Sequence, residues 1–174
     1  QLRVSSYSKV IVWFKEHKRY QKIYLMGVSL GAIEGSMLAA DANVKAAVLV
    51  MGGGDLAEII MHSQEPFVAE WRKELIKRMA EINGSQPTEE KILDLLRQSL
   101  DKADPLRYAE TVMAEKILMI NAKYDQTIPF RNTFKLWLAL NQPRLILFPT
   151  THRGMAFYAP AVLYQTGRFF SKRD

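Results

Sequence analysis

Short apolar runs alternate with longer amphipathic segments along most of this chain. Four runs have the length and composition of buried strands: residues 23–26, 44–51, 116–121 and 144–148. Other segments, residues 5–18 first among them, repeat apolar residues three or four positions apart, which predicts helices with one buried face. Strands alternating with helices predict an α/β fold with a parallel sheet flanked by helices. The carboxyl ends of such strands share one edge, where functional residues are expected.

The stretch from residue 55 to residue 111 is polar and helical, and it lacks a strand-like run. Asn83-Gly84 is predicted to end one of its helices, and Thr88 is predicted to cap the next. A chain of 174 residues is of ordinary single-domain length. We therefore expect one domain over residues 1–174, with residues 55–111 as a helical cap insertion.

Two further segments give specific expectations about packing. Gly52-Gly53-Gly54 interrupts the second strand and is interpreted as a flexible exit from it. Pro129 begins a later helix. Its inward face is predicted to consist of Phe130, Phe134, Trp137 and Leu138.

Composition excludes several kinds of function. The chain has no cysteine, so disulfides, thiolate metal sites and cysteine nucleophiles are excluded, and a reducing, cytoplasmic location is expected. The net charge is +6, but lysine and arginine are scattered, and no nucleic-acid partner is expected. No run approaches the ~20 apolar residues of a membrane span, and no motif indicates a metal or cofactor. The chain begins at Gln1 without an initiator methionine, so its lack of a signal peptide says little about location.

The most specific motif is Gly27-Val28-Ser29-Leu30-Gly31, which follows an apolar strand and precedes a helical segment. A Gly-x-Ser-x-Gly sequence in this context places a serine hydroxyl on a sharp turn above the sheet, where it can attack a carbonyl carbon. We expect both glycines to be needed because side chains there would collide with the strand or the helix.

A serine nucleophile needs a base and an acid that orients the base. His152 lies in the loop after the last strand, whereas His17 is expected at the surface and His62 in a surface or capping role. Asp125 follows the third strand and precedes a helix. Asp55, after the second strand, is the rival acid. We favour Asp125 because of its loop-to-helix context and its place in the strand order.

The order Ser29, Asp125, His152, each after a strand, resembles the α/β-hydrolase superfamily over essentially the whole chain. Residues 104–109, followed by residues 117–121 and Asp125, look like the dienelactone-hydrolase and acyl-esterase branch. Because dienelactone hydrolases use cysteine where this chain has Ser29, acyl esterases fit better. The resemblance implies that Ser29 is the nucleophile, His152 the general base and acid, Asp125 the orienting acid, and the backbone N–H of Leu30 an oxyanion donor. It also implies a small-molecule ester substrate, an acyl-enzyme intermediate and no cofactor.

This sequence departs from the family before the nucleophile, where the family has several strands and this chain has one helix. The strand at residues 23–26 is therefore expected at an open sheet edge. An apolar edge favours pairing with another chain, so a homo-oligomer is predicted through this edge or through the helix at residues 5–18. The family loop that supplies a second oxyanion donor is also missing. A catalytically weak or inactive fragment that acts as an oligomeric scaffold is thus an alternative, as is a thioesterase or peptidase on the same fold.

Overall fold

The four predicted strands pair in parallel and in chain order. The computed structural model describes residues 2–17 and 22–173, omitting the side chains of residues 2–5. Its strands are β1 (Ile23–Val28), β2 (Val44–Val50), β3 (Ile117–Ala122) and β4 (Arg144–Phe148), and their order in the sheet is β1-β2-β3-β4. All three pairings are parallel, so the carboxyl ends of the strands lie along one edge.

Helices connect these strands and confirm the predicted α/β class. Their bounds are α1 (Leu2–Glu16), α2 (Leu30–Leu38), α3 (Leu56–His62), α4 (Pro66–Asn83), α5 (Glu89–Leu100), α6 (Leu106–Ala109), α7 (Phe130–Ala139) and α8 (Ala159–Ser171). Short 3₁₀ turns lie at Asp101–Ala103, Ala114–Lys116 and Arg153–Tyr158. Within the described ranges, no helix combines the length and the apolar content needed to cross a bilayer.

The two central strands carry the core on both faces of the sheet. Leu49 and Met119 pack on one face with apolar residues of α2 and α7. Val48 and Ile120 point to the opposite face, which Val162 and Phe169 of α8 cover. Burial of each large apolar side chain stabilises the fold by about 1.5–3 kcal/mol. Continuous apolar runs, rather than alternating ones, are what a sheet covered on both faces requires.

The helices of residues 55–111 pack around an apolar cluster of their own. Ala57, Met79, Ile92 and Leu96 are buried together where α3, α4 and α5 meet. Thr88 caps α5 as expected, since its hydroxyl accepts a hydrogen bond from the Lys91 N–H at 3.3 Å. The assignment of this stretch as a cap insertion stays a prediction.

The predicted inward face of α7 is wrong at three of its four positions. Phe130, Phe134 and Leu138 are exposed, and only Trp137 is half-buried. The buried face instead contains Asn132, Thr133 and Leu136. Stacking of Phe134 on Phe130 and Trp137 gives the exposed rings partners along the helix surface. Periodicity failed here because the buried positions of this helix are mostly polar.

Those polar residues also correct the expectation of a flexible exit at Gly52-Gly53-Gly54. All three glycines are buried. The Gly52 carbonyl accepts hydrogen bonds from Asn121 Nδ2 at 2.9 Å and Thr133 Oγ1 at 3.0 Å. The Gly54 carbonyl accepts one from Asn132 Nδ2 at 2.9 Å. This exit is therefore packed and hydrogen-bonded, because buried carbonyls need such donors.

One face of β1 lacks full cover among the described residues. Tyr24, Met26 and Val28 alternate along this face, and Tyr24 packs on Phe170 with ring centroids 4.8 Å apart. Met26 and Val28 are 41% and 49% exposed. Since β2 is the only described strand that pairs with β1, the other hydrogen-bonding edge of β1 is open among the described residues.

We expect the protein to self-associate through this edge, because an apolar strand with unpaired backbone groups favours pairing. The wild-type protein should sediment as a dimer or larger species at micromolar concentration. Met26→Lys should shift it towards monomer, because a charge in the interface must be desolvated. Leu95→Lys is the matched control, since Leu95 is similarly exposed and lies on α5. A monomeric wild-type protein would contradict this prediction.

Candidate active site

Ser29 sits in a strained backbone conformation between β1 and α2. Its φ and ψ angles are 53° and −118°, values that non-glycine residues rarely adopt. Such strain costs on the order of 1–3 kcal/mol and persists only where the surrounding structure holds it. Two features hold it here: the Ser29 N–H donates to the Val50 carbonyl at 2.8 Å, and the Ser29 carbonyl accepts from the Ala32 N–H at 2.9 Å. The strand-turn-helix context expected around the serine is therefore present.

The two glycines flanking this turn have different roles. A Cβ added at Gly27 would overlap the backbone carbonyl of Gly31, so only glycine fits. A Cβ at Gly31 would meet no atom of the described residues within 4 Å. The expectation that both positions require glycine is thus wrong for Gly31. At residue 31 this turn requires only that the backbone pass close to Gly27.

Asp125 and His152 meet at the same sheet edge. The Asp125 side chain is 2% exposed, and its Oδ2 accepts a hydrogen bond from His152 Nδ1 at 2.7 Å. Its Oδ1 accepts from the backbone N–H groups of Thr127 and Ile128, both at 2.9 Å. These bonds fix the carboxylate in one orientation. Because Nδ1 donates to the carboxylate, the other ring nitrogen, Nε2, is the one left for a serine proton.

Ser29 lies after β1 at this edge, but no hydrogen bond between its hydroxyl and His152 is present among the described residues. The backbone N–H of Leu30, the first residue of α2, has no hydrogen-bond acceptor among the described residues. A free N–H at a helix start can stabilise negative charge that develops nearby. The nucleophile and oxyanion roles of Ser29 and Leu30 stay predictions.

The rival acid, Asp55, is engaged in fixing the helices above the sheet. It caps α3 by accepting from the Glu58 N–H at 3.3 Å. Its Oδ2 accepts from Lys135 Nζ at 2.7 Å and from Arg97 Nη2 at 3.3 Å. Burial raises the pKa of Asp55, but the hydrogen bonds from Lys135, Glu58 and Arg97 together outweigh it and lower the pKa. Asp55 therefore stays ionised and links α3 to α5 and α7.

The other two histidines take local roles. His17 is exposed, and its Nδ1 lies 2.8 Å from the Trp13 carbonyl. His62 ends α3 and places its Nε2 3.5 Å from a carboxylate oxygen of Glu89. His17 is therefore at the surface as expected, whereas the surface or capping role expected for His62 stays a prediction.

Two features of this edge depend on residues that are far apart in sequence. Asp104 accepts hydrogen bonds from the backbone N–H groups of Asp55 and Leu56, which anchors the start of α3. A cleft of about 300 Å³ opens beside His152, and three loops line it: residues 64–66, 126–127 and 151–153. Their separation in sequence hides both features, since only folding brings these residues together.

Comparison of the coordinates with solved structures identifies the fold. An esterase of Pyrococcus furiosus, Pf2001, superposes with a TM-score of 0.67 over 99% of this chain and 62% of its own, at 12% identity. The α/β hydrolase GrgF of Penicillium sp. superposes over 99% of this chain and 71% of its own, with a TM-score of 0.62 and 16% identity.

The chain has the α/β-hydrolase fold. An enol-lactonase of Burkholderia xenovorans agrees, with a TM-score of 0.58, 14% identity, and coverage of 97% of this chain and 73% of its own. The resemblance inferred from the sequence is confirmed at the level of the fold. No protein-family model and no curated protein sequence matches the chain. The chain spans only about three-fifths of the Pyrococcus esterase, so the hydrolase fold here corresponds to part of that protein.

Gly27→Ala and Gly31→Ala form a matched test of the strained turn. Gly27→Ala should destabilise the protein by about 1–3 kcal/mol, because its Cβ overpacks against backbone that cannot move aside. Gly31→Ala should be neutral or stabilising by up to about 1 kcal/mol, because alanine restricts the unfolded chain. Urea unfolding of both variants measures the difference. An equal decrease in the free energy of unfolding in both variants would contradict the predicted difference between the two glycines.

Asp55→Asn should lower the free energy of unfolding at pH 7 by about 1–2 kcal/mol, given the partial exposure of its cationic partners. The folded-state pKa of Asp55 lies below 3.8, so its contribution is present above that pH and is lost as pH falls through the folded value. The difference in the free energy of unfolding between the wild type and Asp55→Asn should therefore decrease as the pH is lowered. Urea titrations from about pH 7 to about pH 2 measure this. Asp94→Asn, at an exposed position of α5, is the control.

Proposed function

We propose that this protein is a serine hydrolase that cleaves small-molecule carboxylic esters, with Ser29, His152 and Asp125 as its catalytic triad. The observation that carries the proposal is the 2.7 Å hydrogen bond between Asp125 and His152, at the same sheet edge as the strained turn of Ser29. Two proteins of the same fold are named as an esterase and an enol-lactonase, and both names refer to ester-type bonds.

In this mechanism each residue has one task. His152 Nε2 takes the proton of the Ser29 hydroxyl as the oxygen attacks the ester carbonyl carbon. The negative charge that develops on the carbonyl oxygen is stabilised by the Leu30 N–H at the start of α2. The protonated His152 then gives its proton to the departing alcohol, which leaves the acyl group on Ser29.

Water completes the cycle by the same proton path. His152 removes a proton from the water as it attacks the acyl carbon, and then returns the proton to the Ser29 oxygen as the acid leaves. Asp125 accepts the Nδ1–H bond throughout. It therefore holds the imidazole in the tautomer that presents Nε2 to the serine, and it stabilises the positive charge that forms on the ring.

Oxyanion stabilisation at this site relies on a single backbone donor. Ser29 donates its own N–H to Val50, so that group is engaged, and the free Leu30 N–H is one donor. Loss of a single oxyanion donor lowers turnover by about 10²–10³-fold in known cases. An inactive scaffold with a folded but unreactive triad is therefore the alternative, and labelling by a serine-reactive probe distinguishes the two.

A fluorophosphonate probe should label the wild-type protein at Ser29, and p-nitrophenyl acetate should be hydrolysed. Ser29→Ala should abolish labelling because it removes the nucleophile. Asp125→Asn should lower turnover by about 10⁴-fold, because the amide favours the wrong histidine tautomer. The amide oxygen in the Asp125→Asn variant can still accept hydrogen bonds from the backbone N–H groups of Thr127 and Ile128, which preserves the local fold.

His62→Ala is the matched control for His152→Ala, since His62 lies on α3 and pairs with Glu89. It should leave labelling unchanged, whereas His152→Ala should abolish it. A wild-type protein that unfolds cooperatively yet neither reacts with the probe nor hydrolyses p-nitrophenyl acetate would support the scaffold alternative.

A further inference from the structure

The cleft beside His152, formed by residues 64–66, 126–127 and 151–153, contains the catalytic imidazole and is otherwise lined mainly by polar side chains. We infer that it binds the alcohol portion of the ester, and that this alcohol is a neutral polyhydroxylated one, of the size of glycerol or a single sugar ring. The inference rests on the proposed function and specifies its substrate class.

The position of the cleft assigns it to the leaving group. His152 lines it, whereas Ser29 does not. In ester cleavage the acyl carbon bonds to the serine oxygen, and the alcohol oxygen must approach the imidazole to receive its proton. A group held in this cleft is therefore on the alcohol side of the scissile bond.

The chemistry of the lining selects a hydroxylated ligand. The amides of Gln64 and Gln126 and the hydroxyl of Thr127 make no side-chain hydrogen bond to any described residue, so their donors and acceptors are available. Each amide can donate and accept, as each hydroxyl can, which suits a ligand with several hydroxyl groups. An alkyl group placed here would desolvate these groups without replacing their hydrogen bonds, which disfavours binding.

The charges in the cleft favour a neutral ligand. Arg153 and Glu65 are the formally charged side chains of the lining, and their atoms Nη2 and Oε1 lie 3.6 Å apart. Their charges offset each other. Neither an anionic nor a cationic ligand would therefore meet an unpaired charge of opposite sign in the cleft. A backbone hydrogen bond of 2.8 Å from the Gln64 N–H to the Gln126 carbonyl holds two of the lining loops together. The volume of about 300 Å³ is at the small end of ligand sites.

The test compares two esters with the same acyl group and the same number of carbons in the alcohol: glycerol monobutyrate and n-propyl butyrate. Rates are measured by acid release at constant pH. The wild-type protein should prefer the glycerol ester by about tenfold or more in kcat/KM, because a site built for hydroxyl groups rejects an analogue that lacks them.

The variants Gln126→Leu and Thr127→Val remove polar groups at nearly constant volume. Each should lower kcat/KM for the glycerol ester by about 5–10-fold more than kcat/KM for the propyl ester, mainly by raising KM for the glycerol ester. Gln98→Leu is the matched control, because Gln98 is exposed on α5 outside the cleft. Fluorophosphonate labelling of Ser29 should proceed at the wild-type rate in Gln98→Leu.

The outcomes separate this inference from the proposed function. Labelling of Ser29 together with equal hydrolysis of both esters, or a preference for the propyl ester, would overturn the inference alone. Equal losses on both esters in Gln126→Leu and Thr127→Val would also overturn it. An absence of labelling and of hydrolysis of either ester would overturn both.

Discussion

Parallel pairing of the central strands is the constraint on which the rest of this structure depends. Because β2 and β3 are buried on both faces, Leu49, Met119 and their neighbours fix the register in which β1 and β4 can join. Because all pairings are parallel, the carboxyl end of every strand lies at one edge. The strained turn at Ser29 and the loops bearing Asp125 and His152 therefore meet at a common edge although they are far apart in sequence.

Two buried carboxylates at this edge have acquired different tasks through their partners. Asp55 is bound to Lys135 and Arg97, so its charge is already compensated within the scaffold. Asp125 has backbone N–H groups on one oxygen and an imidazole on the other. Only the second arrangement places a histidine on the carboxylate. Fixed cations thus make Asp55 structural, whereas no lysine or arginine of the described residues pairs with Asp125.

The sequence was informative wherever one local pattern determined the structure. Strand β4 begins at Arg144 and ends at Phe148 as predicted, because a short apolar run of this length is typical of a strand, although none of its residues is fully buried. The pattern of apolar residues failed to predict the buried face where the buried side chains are polar. Asn132 and Thr133 lie in the core to satisfy carbonyls of the glycine run, and no periodicity marks such residues. The cleft beside His152 was equally invisible, since it exists only when three distant loops meet.

The uncovered face of β1 and the candidate nucleophile belong to the same short segment. Met26 and Val28 are exposed on that face, and Ser29 is the next residue of the chain. Any molecule that covers this face contacts residues adjoining the strained turn, and it can stabilise or shift the backbone geometry of Ser29. A partner that prefers one geometry of the turn changes the population of that geometry, and with it the reactivity proposed for Ser29. Measurements of assembly and of serine reactivity therefore belong at the same protein concentration.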